Sequence, residues 1–374
     1  MKRILTIALA TVLVTAAFAQ TQTIYTFTPV RDIPVTPVKD QARTGTCWCF
    51  ATVSFLEAEL IRQGKGEFDL SEMFIVRHNY DERLFDNYLR RGNGNINPGS
   101  IAHMATNTIA KYGIVPESAY HGINYDSPGH NHGEMSSYLK AIAGVSVELK
   151  NLSPEYNKLV KSLFDIYLGE LPETFSYNDK TYTPQSFAKM LGLDDVSDYI
   201  ELTSFSHHPF YQQVPLEIPD NWDHARLLNV PLDEMMEIID NALTNGYTVA
   251  WDGDLTSGEF QHNRGIAICP NPEDFAEAIK LEKVYPDRVV TQEMRQKDFE
   301  TFRTVDDHLM HLTGLFKDQN GNKFYKTKNS WGEGRNEEMK GYLFMSKAYL
   351  EMRTVSIMVH KDAIPKTIRK KLGL

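Results

Sequence analysis

The stretch GTCWCF, Gly45 to Phe50, sets two of the chain's three cysteines two positions apart, with the third, Cys269, far away. A cysteine does chemistry as a thiolate. Cys47 opens a helical pattern, where unpaired N–H groups and the positive end of the helix dipole favour the anion. An isolated cysteine at such a place is more often a packed small hydrophobe. A nucleophile also needs a base to take its proton, usually His, and a group that orients the base. Of 12 histidines, His308 stands out: in VDDHLMHLTGLF it lies at the mouth of an apolar strand, and KNSWGEG follows with Asn329 and Trp331. The Asn320-Gly321 pair between them signals a hairpin, which predicts His308 and Asn329 side by side on neighbouring strands. The Asn amide would hold the imidazole, and the Trp331 indole would cover that bond from water. Cys49, rotated by about 200° along the helix, faces away from Cys47 and reads as packing. His311 reads as packing or surface, pointing away from His308. His130, His132 and Glu134 in GHNHGE read as a polar loop, since nothing nearby completes a metal site. No metal and no cofactor is expected.

These residues need elements to position them. Apolar residues at Phe50, Val53, Leu56, Leu60 and Ile61, with Gly64 as a stop, predict a helix beginning at Cys47. FDLSEMFIVRHNYDERLFDNYLRR and IAHMATNTIAKYG predict two more helices, joined by the glycine-rich GNGNINPGS. Between about 125 and 235 the pattern changes to two further helices and a hairpin turning at Asn178-Asp179. LDEMMEIIDNALTNG predicts another helix. After Gly246 the chain turns to strands: YTVAWDGD, HLMHLTGLFKD, KFYKTKNSWG, GYLFMSKAYL and SIMVH. The expected class is α+β, with a helical lobe over 20–240 that contains an inserted segment at about 125–235, and a β-rich lobe with a C-terminal tail over 241–374.

The blocks VKDQARTGTCWCFA, DDHLMHLTG and KNSWGEG resemble, in order, the three active-site blocks of papain-like cysteine peptidases. The spacing from Gln41 to Cys47 resembles the bleomycin hydrolase and aminopeptidase C branch, as do FDLSEMFIVRHNYDERLFDNYL, AKYGIVPESAY and SDYIELTSFSHHPFYQQVPLEIPDNW. The resemblance implies a two-lobed papain-like fold, a helical lobe and a β-barrel-like lobe with a cleft between them. It implies that Cys47 is the nucleophile, His308 the base and later acid, Asn329 its orienter, and Gln41 an oxyanion donor. Trp48 would pack beside the nucleophile. Gly99 falls where the family binds substrate backbone, with Pro98 departing from the pattern. The branch runs its C-terminus into the cleft to hold the substrate's amine, which would make Leu374 the gate, and it forms closed hexamers. The implied activity is peptide hydrolysis, as an aminopeptidase of broad specificity. An endopeptidase with a cleft left open by a short tail, a catalytically silent peptide-binding protein and an acyltransferase are the alternatives.

Composition bounds the partners. Of 374 residues, 42% are hydrophobic and 24% charged, with net charge −10. Residues 1–19 hold Lys2, Arg3 and no acid, so beyond them 37 basic against 49 acidic residues leave −12. That balance argues against nucleic acid as a partner. Lys2 and Arg3, the apolar run Ile4 to Val14 and Ala17-Phe18-Ala19 read as a signal peptide over 1–19, so the mature chain is expected to be exported to a periplasm or the exterior. No later stretch is long enough to span a membrane.

Overall fold

The computed structural model describes residues 24–374; the expected leader, 1–19, lies outside the described residues. The chain enters through strand β1 (Thr28–Asp32) and reaches helix α1 (Cys47–Arg62), which is buried from Cys47 to Leu60. A helix apolar on most faces belongs in an interior. Around it pack α2 (Glu72–Leu89), whose N-cap Ser71 accepts from the Phe74 N–H, and α3 (Ala102–Tyr112), stopped by Gly113 at φ 84°. The middle segment adds α4 (Gly133–Leu149), α5 (Pro154–Leu168) and α6 (Pro184–Leu191). Its hairpin, β2 (Phe175–Tyr177) and β3 (Lys180–Tyr182), turns on Asn178 and Asp179, both at positive φ, as a two-residue turn with matching twist requires.

The remaining strands are β4 (Tyr199–Thr203), β5 (Gln213–Pro215), β6 (Arg226–Asn229), β7 (Val249–Gly253), β8 (Phe260–Gln261), β9 (Ile266–Ala267), β10 (His308–Lys317), β11 (Lys323–Lys328), β12 (Tyr342–Ser346) and β13 (Thr354–His360). They form one sheet in the order β5-β6-β4-β13-β7-β10-β11-β12-β9-β8, with β1 also paired to β10. Among the described residues this path is open rather than a closed barrel, which fits the expected two-lobed α+β fold. Helices α7 (Leu232–Thr244), α8 (Phe275–Ala278), α9 (Gln292–Glu300), α10 (Lys347–Arg353) and α11 (Lys366–Leu372) complete the fold.

Strand alternation puts two cores on the two faces of the sheet. Ala250, Leu309 and Met358 face α1, whereas Val249, Trp251, Met310, Leu312 and Ile357 face α7. Two expectations need correction here. The boundary at 240/241 cuts through α7, whose apolar face Met235, Ile238, Ile239 and Ala242 is buried on the sheet, and β4 to β6 of the inserted segment extend that same sheet. The second half of GYLFMSKAYL is helix α10, because Ser346 caps it by accepting from the Tyr349 N–H.

Candidate active site

The N-terminus of α1, the start of β10 and the end of β11 converge. The β10–β11 hairpin turns at Asp318 to Asn322, with Gly321 at φ 85° and Asp318 Oδ1 accepting from the N–H groups of Asn320 and Asn322. Its register, His311 opposite Lys328, brings His308 to Asn329: Nε2 lies 2.8 Å from Oδ1. The amide orientation is fixed from two sides. Ser330 N–H donates to the same Oδ1 at 2.7 Å, and Asn329 Nδ2 lies 3.3 Å from His262 Nδ1. Oδ1 is therefore the acceptor, Nε2 carries the proton, and Nδ1 is the nitrogen left to exchange one. Trp331 lies against the His308 ring at 4.9 Å between centroids.

Cys47 is the first residue of α1, whose N-cap Thr46 makes no side-chain cap and whose first turn holds no acid. The backbone N–H of Leu309, the residue after His308, lies near the sulfur and favours its anion. Burial pushes the Cys47 thiol up to about 12 and the His308 imidazole down to about 4. Each group resists charging alone. Proton transfer from sulfur to ring charges both together, so their attraction offsets the shared desolvation penalty.

Gln41 reaches the site because Gln41 N–H donates to the Ser330 carbonyl at 2.8 Å and Asp40 bridges to Trp331. Its Oε1 accepts from Ser330 Oγ at 2.6 Å, and one Nε2 proton goes to the Thr44 carbonyl at 2.8 Å. Trp48 is fully buried beside Cys47 and donates Nε1–H to the Pro98 carbonyl at 3.0 Å. Cys49 is fully buried, 3.3 Å from the Glu72 carbonyl, and all three cysteines are free thiols. His311 lies buried under α1, 2.9 Å from Ser54 Oγ. His132 and Glu134 turn to different tyrosines, Tyr80 and Tyr167.

At Gly99 the structure is specific. Its carbonyl accepts from Arg83 Nη1, and a Cβ there would lie 1.9 Å from Asp220 Oδ2. Asp220 belongs to the inserted segment, which is tied to this loop by Asn95 Nδ2 on the Pro219 carbonyl (2.6 Å) and Trp222 Nε1 on Ser100 Oγ (3.2 Å). Leu374 is a correction. The tail packs Ile364 and Ile368 with α7 on the sheet face opposite α1, and Lys371 pairs with Glu234 there. Leu374 is exposed on that far side and does not reach Cys47.

Sequence reasoning missed Ser330 and His262. Ser330 sits inside the recognised block, but its link to Gln41 spans 289 positions. His262 holds the Asn329 amide from 67 positions away, within a 3-10 turn, His262–Arg264, that has no motif.

Residues 75–373 match the Peptidase C1-like family, a span that includes His308 and Asn329 and starts after Cys47. The chain is 24% identical to aminopeptidase G of Lactobacillus delbrueckii subsp. lactis, covering 91% of this chain and 85% of that one. It is 25% identical to aminopeptidase E of Lactobacillus helveticus, over 87% and 81% respectively. The crystal structure of PepW from Lactobacillus rhamnosis superposes with a TM-score of 0.71 at 20% identity, over 92% of this chain and 84% of that one.

Proposed function

Because the chain belongs to the Peptidase C1-like family and is a papain-like cysteine peptidase, we propose that it is an exported aminopeptidase of broad specificity that works through Cys47, His308 and Asn329. Cys47 attacks the carbonyl of the first peptide bond as His308 Nδ1 takes the thiol proton. The oxyanion meets the Cys47 N–H and the second Nε2 proton of Gln41. His308 then protonates the leaving amine, and water releases the acyl group. Asn329, clamped by Ser330 and His262, keeps the ring turned toward sulfur, and Trp331 keeps water from their bond.

One observation carries the exopeptidase reading: Asp220 stands over Gly99, in the space where a second acyl-side residue would pair with the backbone. That contact leaves little room for endopeptidase action, the alternative a short tail invited. The aminopeptidases named among the relatives support the same reading. The test compares alanyl-p-nitroanilide with its N-acetyl form. Preferential cleavage of the free amine is expected, and equal cleavage of both sinks the aminopeptidase reading. Since the tail lies on the far face, deleting Gly373 and Leu374 is expected to change that preference by less than about twofold, as for surface changes distant from a site. A large loss of preference in that deletion would restore the tail as the gate.

A further inference from the structure

With Ile364 and Ile368 packed on the sheet face opposite α1, a group of buried acids near Cys47 is the other candidate partner for the substrate's amine. Asp252 lies on β7 with its Cα opposite Leu309, the residue whose backbone N–H favours the Cys47 anion. Asp306, two residues before His308, lies beside Asp252, and the two buried acids act on each other's ionisation. Ser356 Oγ lies 3.3 Å from Asp252 Oδ2. Asp252 Oδ1 and Asp306 Oδ2 are buried with no partner among the described residues, and so is Oε1 of nearby Glu201. Asp252 is 1% exposed.

Of the cations close by, His103 has other partners, and Arg83 spends two donors on carbonyls while Nη2 stays buried without a partner among the described residues and its charge acts on Asp220. His103 is held between Glu201 at 2.7 Å and Asp223 at 3.0 Å. Arg83 donates to the carbonyls of Asn95 and Gly99. Burial, followed by the repulsion of neighbouring acids, lifts Asp306 to about 8 and Asp252 well above the usual carboxylate range. Buried carboxylate oxygens without donors are costly, and a cation supplied by the substrate removes that cost.

We propose that Asp252 and Asp306, with Asp220 at the rim, form the subsite that takes the α-ammonium of the substrate's N-terminal residue. The geometry suits that group. The α-nitrogen is two bonds from the carbonyl carbon that the sulfur attacks, and Asp306, Asp252 and Asp220 all lie near enough to that sulfur for their charges to act on it. Three N–H donors match the three unpartnered oxygens, and a proton held by the acid pair passes to solvent as the ammonium enters. An N-acetylated residue has no charge there and a single N–H donor.

This inference rests on the aminopeptidase reading, and the two fail differently. The experiment measures kcat/KM for alanyl-p-nitroanilide and its N-acetyl form with wild type, Asp252→Asn and Asp306→Asn. The ratio within one preparation is independent of how much protein is folded. The free-amine preference is expected to fall at least about 10-fold in each variant, mainly through KM, as for removal of one partner from a desolvated charge pair. A wild-type preference that survives both substitutions with a smaller change overturns the subsite and leaves the aminopeptidase intact. A wild type without any preference overturns both.

Discussion

Replacing Cys47 with alanine is expected to lower kcat/KM for alanyl-p-nitroanilide by about 10⁴-fold or more, to the level that binding and oxyanion contacts alone sustain. The fold is expected to survive, because Cys47 is 8% exposed and ends the helix rather than filling its middle. Asn329 and Gln41 keep their partners without the sulfur, since Ser330 binds both from its backbone and hydroxyl. The contrast is Cys49→Ala. Cys49 touches the Glu72 carbonyl behind the helix, so its loss leaves a small void and most of the activity. Steady-state kinetics, with an epoxide thiol inhibitor to count reactive cysteines, reads both. A Cys47→Ala protein that keeps more than about one per cent of wild-type turnover would remove Cys47 from the mechanism, given the size of nucleophile deletions.

The second large effect concerns stability. Glu57 is expected to destabilise the protein by about 3–5 kcal/mol when changed to alanine, the range for stripping one charge from a buried network. Its side chain is 1% exposed. It accepts from Thr36 Oγ1 at 2.5 Å, from the Leu70 N–H at 2.9 Å and from Lys39 at 3.4 Å. Lys39 retains Asp69 and Glu72. Lys328 is worse placed: among the described residues its ammonium bonds only hydroxyls, Ser54 Oγ at 2.7 Å and Thr36 Oγ1 at 3.2 Å. Burial already holds Lys328 down to about 8, and Glu57 is the first acid that opposes this. Lys328 adjoins Asn329, so the damage reaches the His308 clamp. Urea unfolding measures the loss. A change under about 1 kcal/mol, the range of an exposed pair, would mean the network carries no such weight.

What the sequence made legible is local or motif-borne. Helix α1 with Cys47 at its head, the Asn320-Gly321 hairpin and the meeting of His308 with Asn329 follow from periodicity and turn chemistry. The hairpin at Asn178-Asp179 does as well. The failures are failures of partner choice. Strands β4 to β6 are short, and nothing in their residues says which sheet they will extend. The basic tail has an apolar stripe with Ile368, and such a stripe names no face; α7 provided one on the wrong side for a gate. His262 and Asp220 act through contacts that only the folded chain defines. Asp252 and Asp306 are ordinary acids until burial makes them unusual.

The arm that carries Gln41 has a kinetic side. Gln41 meets Ser330 across 289 positions, and Ser54 meets His311 across 257. Contacts of that span are closed late, since loop-closure entropy must be met before they give anything back. A ribosome-bound chain therefore holds Cys47 long before it holds His308 and Asn329, and it stays chemically mute until nearly all of it has emerged. Catalytic competence in a refolding trace is expected to lag behind helix formation, which makes the enzyme its own clock for the final docking of its ends.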